Sequence, residues 1–321
     1  MMNLDQKDRK ILAILSTNAR STYSQIGKRT RLHKDSVAYR IKKLEQDGII
    51  SGYTTFFDFS LLGYRIYKLY IKFRGLKENE KKNIYNYLKS EQLVGWIAEG
   101  NGVWDLVLGV QISKAEDFYN FKLSFEHKFH DKITNFNSTT QIQAYFYPRS
   151  YLSLFNRDET ILYSNRGQVS IDSKDSRIMQ ELATDARVSV IDIAKKIGLS
   201  ARTVGYRIKQ LEKQKIILQY RSSIHLEKIE HIFIKAFIKL QEITPKRKRE
   251  ILDFFKNNIN IVHNVESLGD WELEPEFETE NIEQFYQIIN EFRAKFADNI
   301  SKIDSMIINR EHAYRYIPQF K

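Results

Sequence analysis

Apolar residues recur at helical spacing near the start of the chain: Ile11, Leu12 and Leu15, then Tyr23 and Ile26, then Val37, Ile41 and Leu44. The pattern predicts three short helices. It changes at Ile49-Ile50-Ser51-Gly52-Tyr53 and Phe56-Phe57, which read as a small β wing. Further on, β runs are predicted at Ile66–Phe73, Val94–Glu99, Trp104–Ile112 and Ile142–Tyr147. Helices are predicted at Lys81–Leu88 and Ala115–Phe129. This βαββαβ order predicts an antiparallel sheet with its helices on one face.

The whole pattern then occurs again. Adding 167 to a residue number carries Tyr39-Arg40-Ile41-Lys42 to Tyr206-Arg207-Ile208-Lys209, Gly102 to Gly269 and Trp104 to Trp271. Over residues 4–53 the offset gives 21 identities in 50 pairs. A period this long is not a solenoid repeat; each copy is a domain pair. In the second copy Gly198 is placed to end a helix and Ser200 to cap the next one. Two helices joined by so short a turn form a helix-turn-helix. The division expected is 1–55 and 171–222 for the helical units, 56–150 and 223–321 for the sheet units, and 151–170 for a connector. The fold class is α+β: two winged helix-turn-helix domains, each followed by a ferredoxin-like βαββαβ domain.

Charge sharpens this division. The 321 residues carry a net charge of +11. Residues 1–55 hold 11 basic against 5 acidic side chains, and residues 168–222 hold 11 against 6. The sheet units carry +3 and −3 and cancel, so the excess sits in the helical units, as for a pair of DNA-contacting modules. The absence of cysteine excludes disulfides and thiolate-bound metals. No apolar run approaches the ~18 residues of a membrane span. The start, Met1 to Lys7, has no signal-peptide core, and a cytoplasmic location is expected.

The motifs resemble those of the Lrp/AsnC family of prokaryotic regulators. They are Leu4-Asp5-x-x-Asp8, Asn18-Ala19-Arg20 and Val37-x-x-Arg40-Ile41-x-x-Leu44-Glu45 with Gly48-Ile49-Ile50. The second copy has Asp185-Ala186-Arg187, Gly198-Leu199-Ser200 and Val204-x-x-Arg207-Ile208-x-x-Leu211-Glu212. Two positions depart from the pattern: Arg31-Leu32-His33 stands at the first turn, and Lys215 replaces a wing glycine. The resemblance implies that the sheet domains sense effectors and dimerise. It implies a small effector, often an amino acid, near a Gly-x-aromatic-Asp turn, here Asn101, Gly102, Trp104 and Asp105. In the second copy the turn reads Gly269-Asp270-Trp271-Glu272.

The third helix of such a motif enters the major groove of double-stranded DNA. Lys34, Asp35, Ser36 and Tyr39 are the base-reading candidates, with Ala201, Arg202, Thr203 and Tyr206 in the second copy. Arg40, Lys42, Lys43, Arg207 and Lys209 lie further along and are expected to contact phosphates. Because the two sets differ, two unlike half-sites are expected. Trp271-Glu272-Leu273-Glu274-Pro275-Glu276-Phe277-Glu278 places four glutamates on one strand face, turned toward a partner sheet or solvent. Lys235 and Lys239 are candidates to pair with them, and Pro275 predicts an irregular or edge-like strand. One chain is expected to do the work of two subunits, its two sheets facing each other, with further homo-oligomerisation left open.

No cofactor motif, P-loop or nucleophile elbow is present. His127 and His130 read as surface histidines rather than metal ligands. A catalytic alternative is a tetrapyrrole-processing enzyme resembling the sirohaem decarboxylases, with His225, His263 and His312 around a large cavity. Intact recognition helices weigh against it, and the protein is read as a non-enzyme.

Overall fold

A computed structural model describes residues 4–153, 160–163 and 168–314. The first helical unit holds α1 (Gln6–Leu15), α2 (Tyr23–Thr30) and α3 (Lys34–Gln46), then β1 (Ile50–Phe57). The first sheet unit holds β2 (Arg65–Phe73), α4 (Glu78–Ser90), β3 (Val94–Gly102), β4 (Leu106–Ile112), α5 (Ala115–Phe129) and β5 (Ile133–Phe146). A short β6 (Thr160–Tyr163) lies between the copies. The second copy holds α6 (Ser173–Thr184), α7 (Val190–Ile197), α8 (Ala201–Lys213) and β7 (Ile217–Ile224). It continues with β8 (Ile232–Leu240), α9 (Pro245–Asn257), β9 (Ile261–Leu268), β10 (Leu273–Thr279), α10 (Ile282–Phe296) and β11 (Ile300–Tyr314). Each of these elements starts 167 residues after its counterpart.

Local chemistry explains the helix boundaries. Asp5 accepts a hydrogen bond from the Asp8 amide at the start of α1. Asp172 does the same for the Lys174 and Asp175 amides at α6. Thr22 and Gln25 form a reciprocal capping box at α2. Gly198 ends α7 in the left-handed region at φ 74, and Ser200 caps α8. Arg31 takes the same left-handed conformation at φ 57, so the turn geometry survives the loss of glycine.

The wings differ from the expectation of two separate small wings. β1 pairs antiparallel with β7, the wing of the other copy. Divisions at 55 and 222 fall inside these two strands, which continue because each is the other's ladder partner. The exchange extends to the cores: Phe57, Phe59 and Leu61 pack into the core of the second helical unit. Ile229 reciprocates in the core of the first.

The two sheets do not merely face each other. The first copy runs β3-β4-β2-β5 and the second β9-β10-β8-β11; β5 pairs with β9 and β3 with β11. The result is a closed, eight-stranded antiparallel barrel with no free edge along its main circuit. Helices α4 and α5 cover the outside of one half and α9 and α10 the other. β5 begins at Ile133, nine residues earlier than its apolar run, because its polar first half ladders onto β2. β10 is not an edge strand: it pairs on both sides, with Pro275 opposite Asn264. Three of the four glutamates turn into the barrel and are buried; Glu272 instead accepts from the Leu240 amide. Lys235 pairs with this face, whereas Lys239 is exposed.

Candidate nucleic-acid interface

On α3, Lys34, Asp35, Ser36 and Tyr39 are exposed, Tyr39 by 69%. On α8, Ala201, Arg202 and Tyr206 are exposed and Thr203 is half-buried, its hydroxyl 2.8 Å from that of Ser200. Both surfaces exist because Val37, Ile41 and Leu44, and likewise Val204, Ile208 and Leu211, turn the opposite helix face into the core. His33 stands at the N-cap of α3 without a side-chain cap bond; its Nδ1 lies 3.2 Å from the Asp35 carboxylate. Lys42, Lys43 and Lys209 are exposed along the helices.

Arg40 and Arg207 are placed differently. Arg40 Nη1 donates to Asp5 at 2.7 Å and to Asp8 at 2.8 Å. Arg207 Nη1 donates to Asp172 at 3.0 Å and to Asp175 at 2.8 Å. The Leu-Asp-x-x-Asp motif therefore braces the recognition helix against the first helix. These guanidiniums are committed inside the protein, unlike the free lysines beside them. The Asp175 amide and the Arg207 guanidinium hold Asp172 below the usual carboxylate range.

The Asn-Ala-Arg and Asp-Ala-Arg motifs hold the two units together. Arg20 Nη1 donates to the Ala186 carbonyl, and Arg187 Nη1 to the Ala19 carbonyl, both at 2.8 Å. The Ala19 amide donates to Tyr220 O and the Ala186 amide to Tyr53 O. Tyr53 and Tyr220 in turn donate their hydroxyls to Glu45 and Glu212. Sequence reasoning found these motifs but not their pairing role; their repetition in both copies was the available signal. It also missed Lys28 and Arg31, which with Lys34 line a recess of about 350 Å³ at the first turn.

The 101–105 turn is largely committed to structure. Gly102 has φ 139, and a Cβ there would lie 2.4 Å from the Ser305 carbonyl of β11, so the seam requires glycine. Trp104 is buried against Tyr70 and Trp271. Asp105 accepts from Lys72 Nζ at 2.6 Å and from the Phe73 amide at 2.8 Å. Asn101 is exposed. His263 is largely buried on Glu276, His225 is exposed, and the side chain of His312 lies outside the described ones. Among the described residues no cluster fit to hold a metal occurs, and no helix is long and apolar enough to cross a membrane.

The fold and the two exposed helices define a double winged helix-turn-helix protein. Residues 4–51 match the family model for winged helix-turn-helix DNA-binding domains, and residues 171–212 match that for AsnC-type helix-turn-helix domains. An HTH-type transcriptional regulator of Pyrococcus furiosus is 31% identical over 121 residues, 37% of this chain and 80% of its own length. The leucine-responsive regulatory protein of Haemophilus influenzae is 31% identical over 98 residues, 30% of this chain and 57% of its own. The chain thus belongs to the Lrp/AsnC family of transcription regulators, as an internally duplicated member. A solved structure of the siroheme decarboxylase NirDL aligns over 99% of this chain and 95% of its own, with TM-score 0.64 and 13% identity. At that identity the likeness speaks to the fold alone.

Proposed function

We propose that this chain regulates transcription by binding one double-stranded operator with two unlike half-sites, one per copy. The observation that carries the reading is the pair of exposed helix faces. They share Tyr39 and Tyr206 but present Lys34-Asp35-Ser36 on one and Ala201-Arg202-Thr203 on the other. Arg202 is the side chain suited to a bidentate contact with guanine, and Asp35 to accepting from cytosine. Lys42, Lys43 and Lys209 supply phosphate contacts. Arg40 and Arg207 act by positioning their helices. Binding falls steeply as salt rises. Arg202→Ala costs about 1–3 kcal/mol at one position of one half-site, whereas Lys43→Ala weakens all sequences alike. Gel-shift titrations on selected and random duplexes check both; equal losses on the two duplexes for Arg202→Ala remove it from the base-reading set.

The reading extends to a small effector, such as an amino acid, at the 101–105 turn. Support there is confined to Asn101 and Gly102, the exposed residues of the turn. A thermal-shift screen of amino acids on the parent and Asn101→Ala proteins tests it. No catalytic step is assigned. The tetrapyrrole alternative needs a large cavity, whereas Tyr70, Trp104, Phe237, Trp271 and two lysines occupy the barrel interior. Failure to develop an absorption band with sirohaem agrees with the regulator reading.

A further inference from the structure

An eight-stranded barrel has room for little beyond its own side chains, and the centre of this one is charged. Lys68 and Lys235 are duplicates of one position, 167 residues apart. Both reach the same carboxylate oxygen, Glu274 Oε2, at 2.7 and 2.9 Å. The other oxygen, Oε1, accepts from Tyr70 and Ser267 at 2.6 Å each and from Trp271 Nε1 at 3.2 Å. Glu274 and Lys235 are fully buried. Lys235 also meets Glu276 at 2.8 Å, and Glu276 meets His263 Nδ1 at 2.9 Å. Lys68 and Tyr70 come from the first copy; Lys235, Ser267 and Trp271 come from the second. A single acid therefore joins the two copies where their equivalent lysines converge.

The first copy has no such acid. The positions of Glu274 and Glu276 are Val107 and Gly109 there. One first copy and one second copy together enclose two lysines and two glutamates, which balance, and burial keeps His263 toward its neutral form. Two first copies would enclose two Lys68 and no acid. Two second copies would set two lysines against four central glutamates and would leave both Glu278 side chains without Arg149. Uncompensated charge is among the costliest contents a protein interior can have.

One further contact between copies is equally one-sided: Arg149 of the first copy donates to the buried Glu278 of the second at 2.7 Å, and the equivalent positions are Tyr316 and Gln111. The contacts between the helical units do not discriminate. Ala19, Arg20 and Tyr53 pair with Ala186, Arg187 and Tyr220, the same residue types at both ends. Like copies from two chains would satisfy them equally. The barrel seams are backbone ladders.

We propose that Lys68, Lys235 and Glu274, balanced by Glu276, form a pairing code that closes the barrel only between a first and a second copy. Chains then do not trade like halves, and each DNA-binding unit keeps one recognition helix of each kind. The code is independent of what the helices bind. Unlike pairing between two chains is also neutral, and the tether within the chain favours the intramolecular form.

The test uses full-length chains. Parent and variant both carry Arg149→Gln/Glu278→Gln, which removes the other ion pair between copies; Val107→Glu/Glu276→Gln then gives each copy one central lysine and one acid, so every pairing becomes neutral. Two chains of different mass are unfolded, mixed at high concentration, refolded and weighed by native mass spectrometry. Unlike exchange sets the same background in parent and variant. The expected result is at least a tenfold larger mixed-dimer fraction for the variant; equal fractions overturn the code. A second arm moves the acid. Glu274→Val lowers the thermal midpoint, and adding Val107→Glu recovers at least half of the loss, since the new carboxylate stands at the equivalent position. If Glu274→Val does not fold, Val107→Glu is added to Glu274→Gln, which keeps an acceptor without the charge. No recovery in either background refutes the proposal.

Discussion

In the helical units, Arg20 and Arg187 reach reciprocally across the molecule, each donating at 2.8 Å to the alanine carbonyl before the other arginine. In the barrel, Glu274 takes both lysines while its counterpart, Val107, packs among aromatic residues. The same duplication has kept its symmetry in one region and lost it in the other. Position relative to the pairing axis accounts for the difference. A contact away from the axis can occur twice, as the arginine–alanine pairs do, and then needs the same residue at both ends. Near the axis, two equivalent side chains compete for one place, and a single acid serves both lysines better than two would. A fused pair is free to make that choice, whereas a symmetric homodimer presents one self-complementary surface.

The largest expected effect lies in the barrel. Lys235→Met leaves Glu274 and Glu276 short of a cation and is expected to cost about 3–5 kcal/mol. Lys68→Met removes a lysine that meets one glutamate and is expected to cost less. Urea unfolding of both variants measures the difference, and equal costs would break the claim of asymmetry.

The same region sets the pH response. Burial opposes ionisation of Glu274 and Glu276, but Lys68 and Lys235, with the hydrogen bond between His263 and Glu276, outweigh it and hold both well below the usual carboxylate range. A depressed carboxylate stabilises the fold above its unfolded value near 4.5 and loses that contribution as pH falls through its folded value. The unfolding midpoint is therefore expected to drop below pH 4.5. Burial lowers Lys68 to about 8 from 10.5, so the unfolded chain binds the extra proton in that window. Stability from this site rises as pH climbs from 8 to 10.5, and Lys68→Met flattens the rise. A wild-type stability curve that falls over 8–10.5 by as much as that of Lys68→Met would count against this account.

The helical units offer the matching test of symmetry. Arg20→Ala and Arg187→Ala each remove a charged donor from the other copy's alanine carbonyl, and Arg20→Ala also from the Val188 carbonyl at 3.1 Å, at about 1–3 kcal/mol. By chemical denaturation the Arg20→Ala loss is expected to equal that of Arg187→Ala or to exceed it by about 1 kcal/mol at most, the worth of the extra bond. A large disparity would show that the pairing is not reciprocal. The smallest effect belongs to Lys215, held at φ 63 where the first copy has Gly48 at φ 66. Lys215→Gly is expected to raise stability by up to about 1 kcal/mol, from relief of the left-handed conformation less the entropy glycine adds to the unfolded chain. A lowered melting temperature would mean that the lysine side chain contributes more than its backbone costs.

Much of this molecule is written locally. Helical spacing, caps such as Thr22 and Ser200, and the 167-residue offset determine where the elements begin, that there are two copies, and that their recognition helices differ. Those features depend on residues a few places apart, which periodicity and capping chemistry resolve. Tertiary structure decided what the sequence left open. Arg40 and Arg207 brace the first helix of each unit, because Asp5 and Asp172 lie 35 residues away in sequence but beside them in space. The wings became one shared ribbon and the sheets one barrel, because a strand's partner is set by which backbone edge remains open once both copies have packed. Lys68 and Glu274 are separated by 206 residues. Alternation marked the face that carries Glu274, but only closure of the barrel turned that face into an interior where its charge and that of Lys68 require each other.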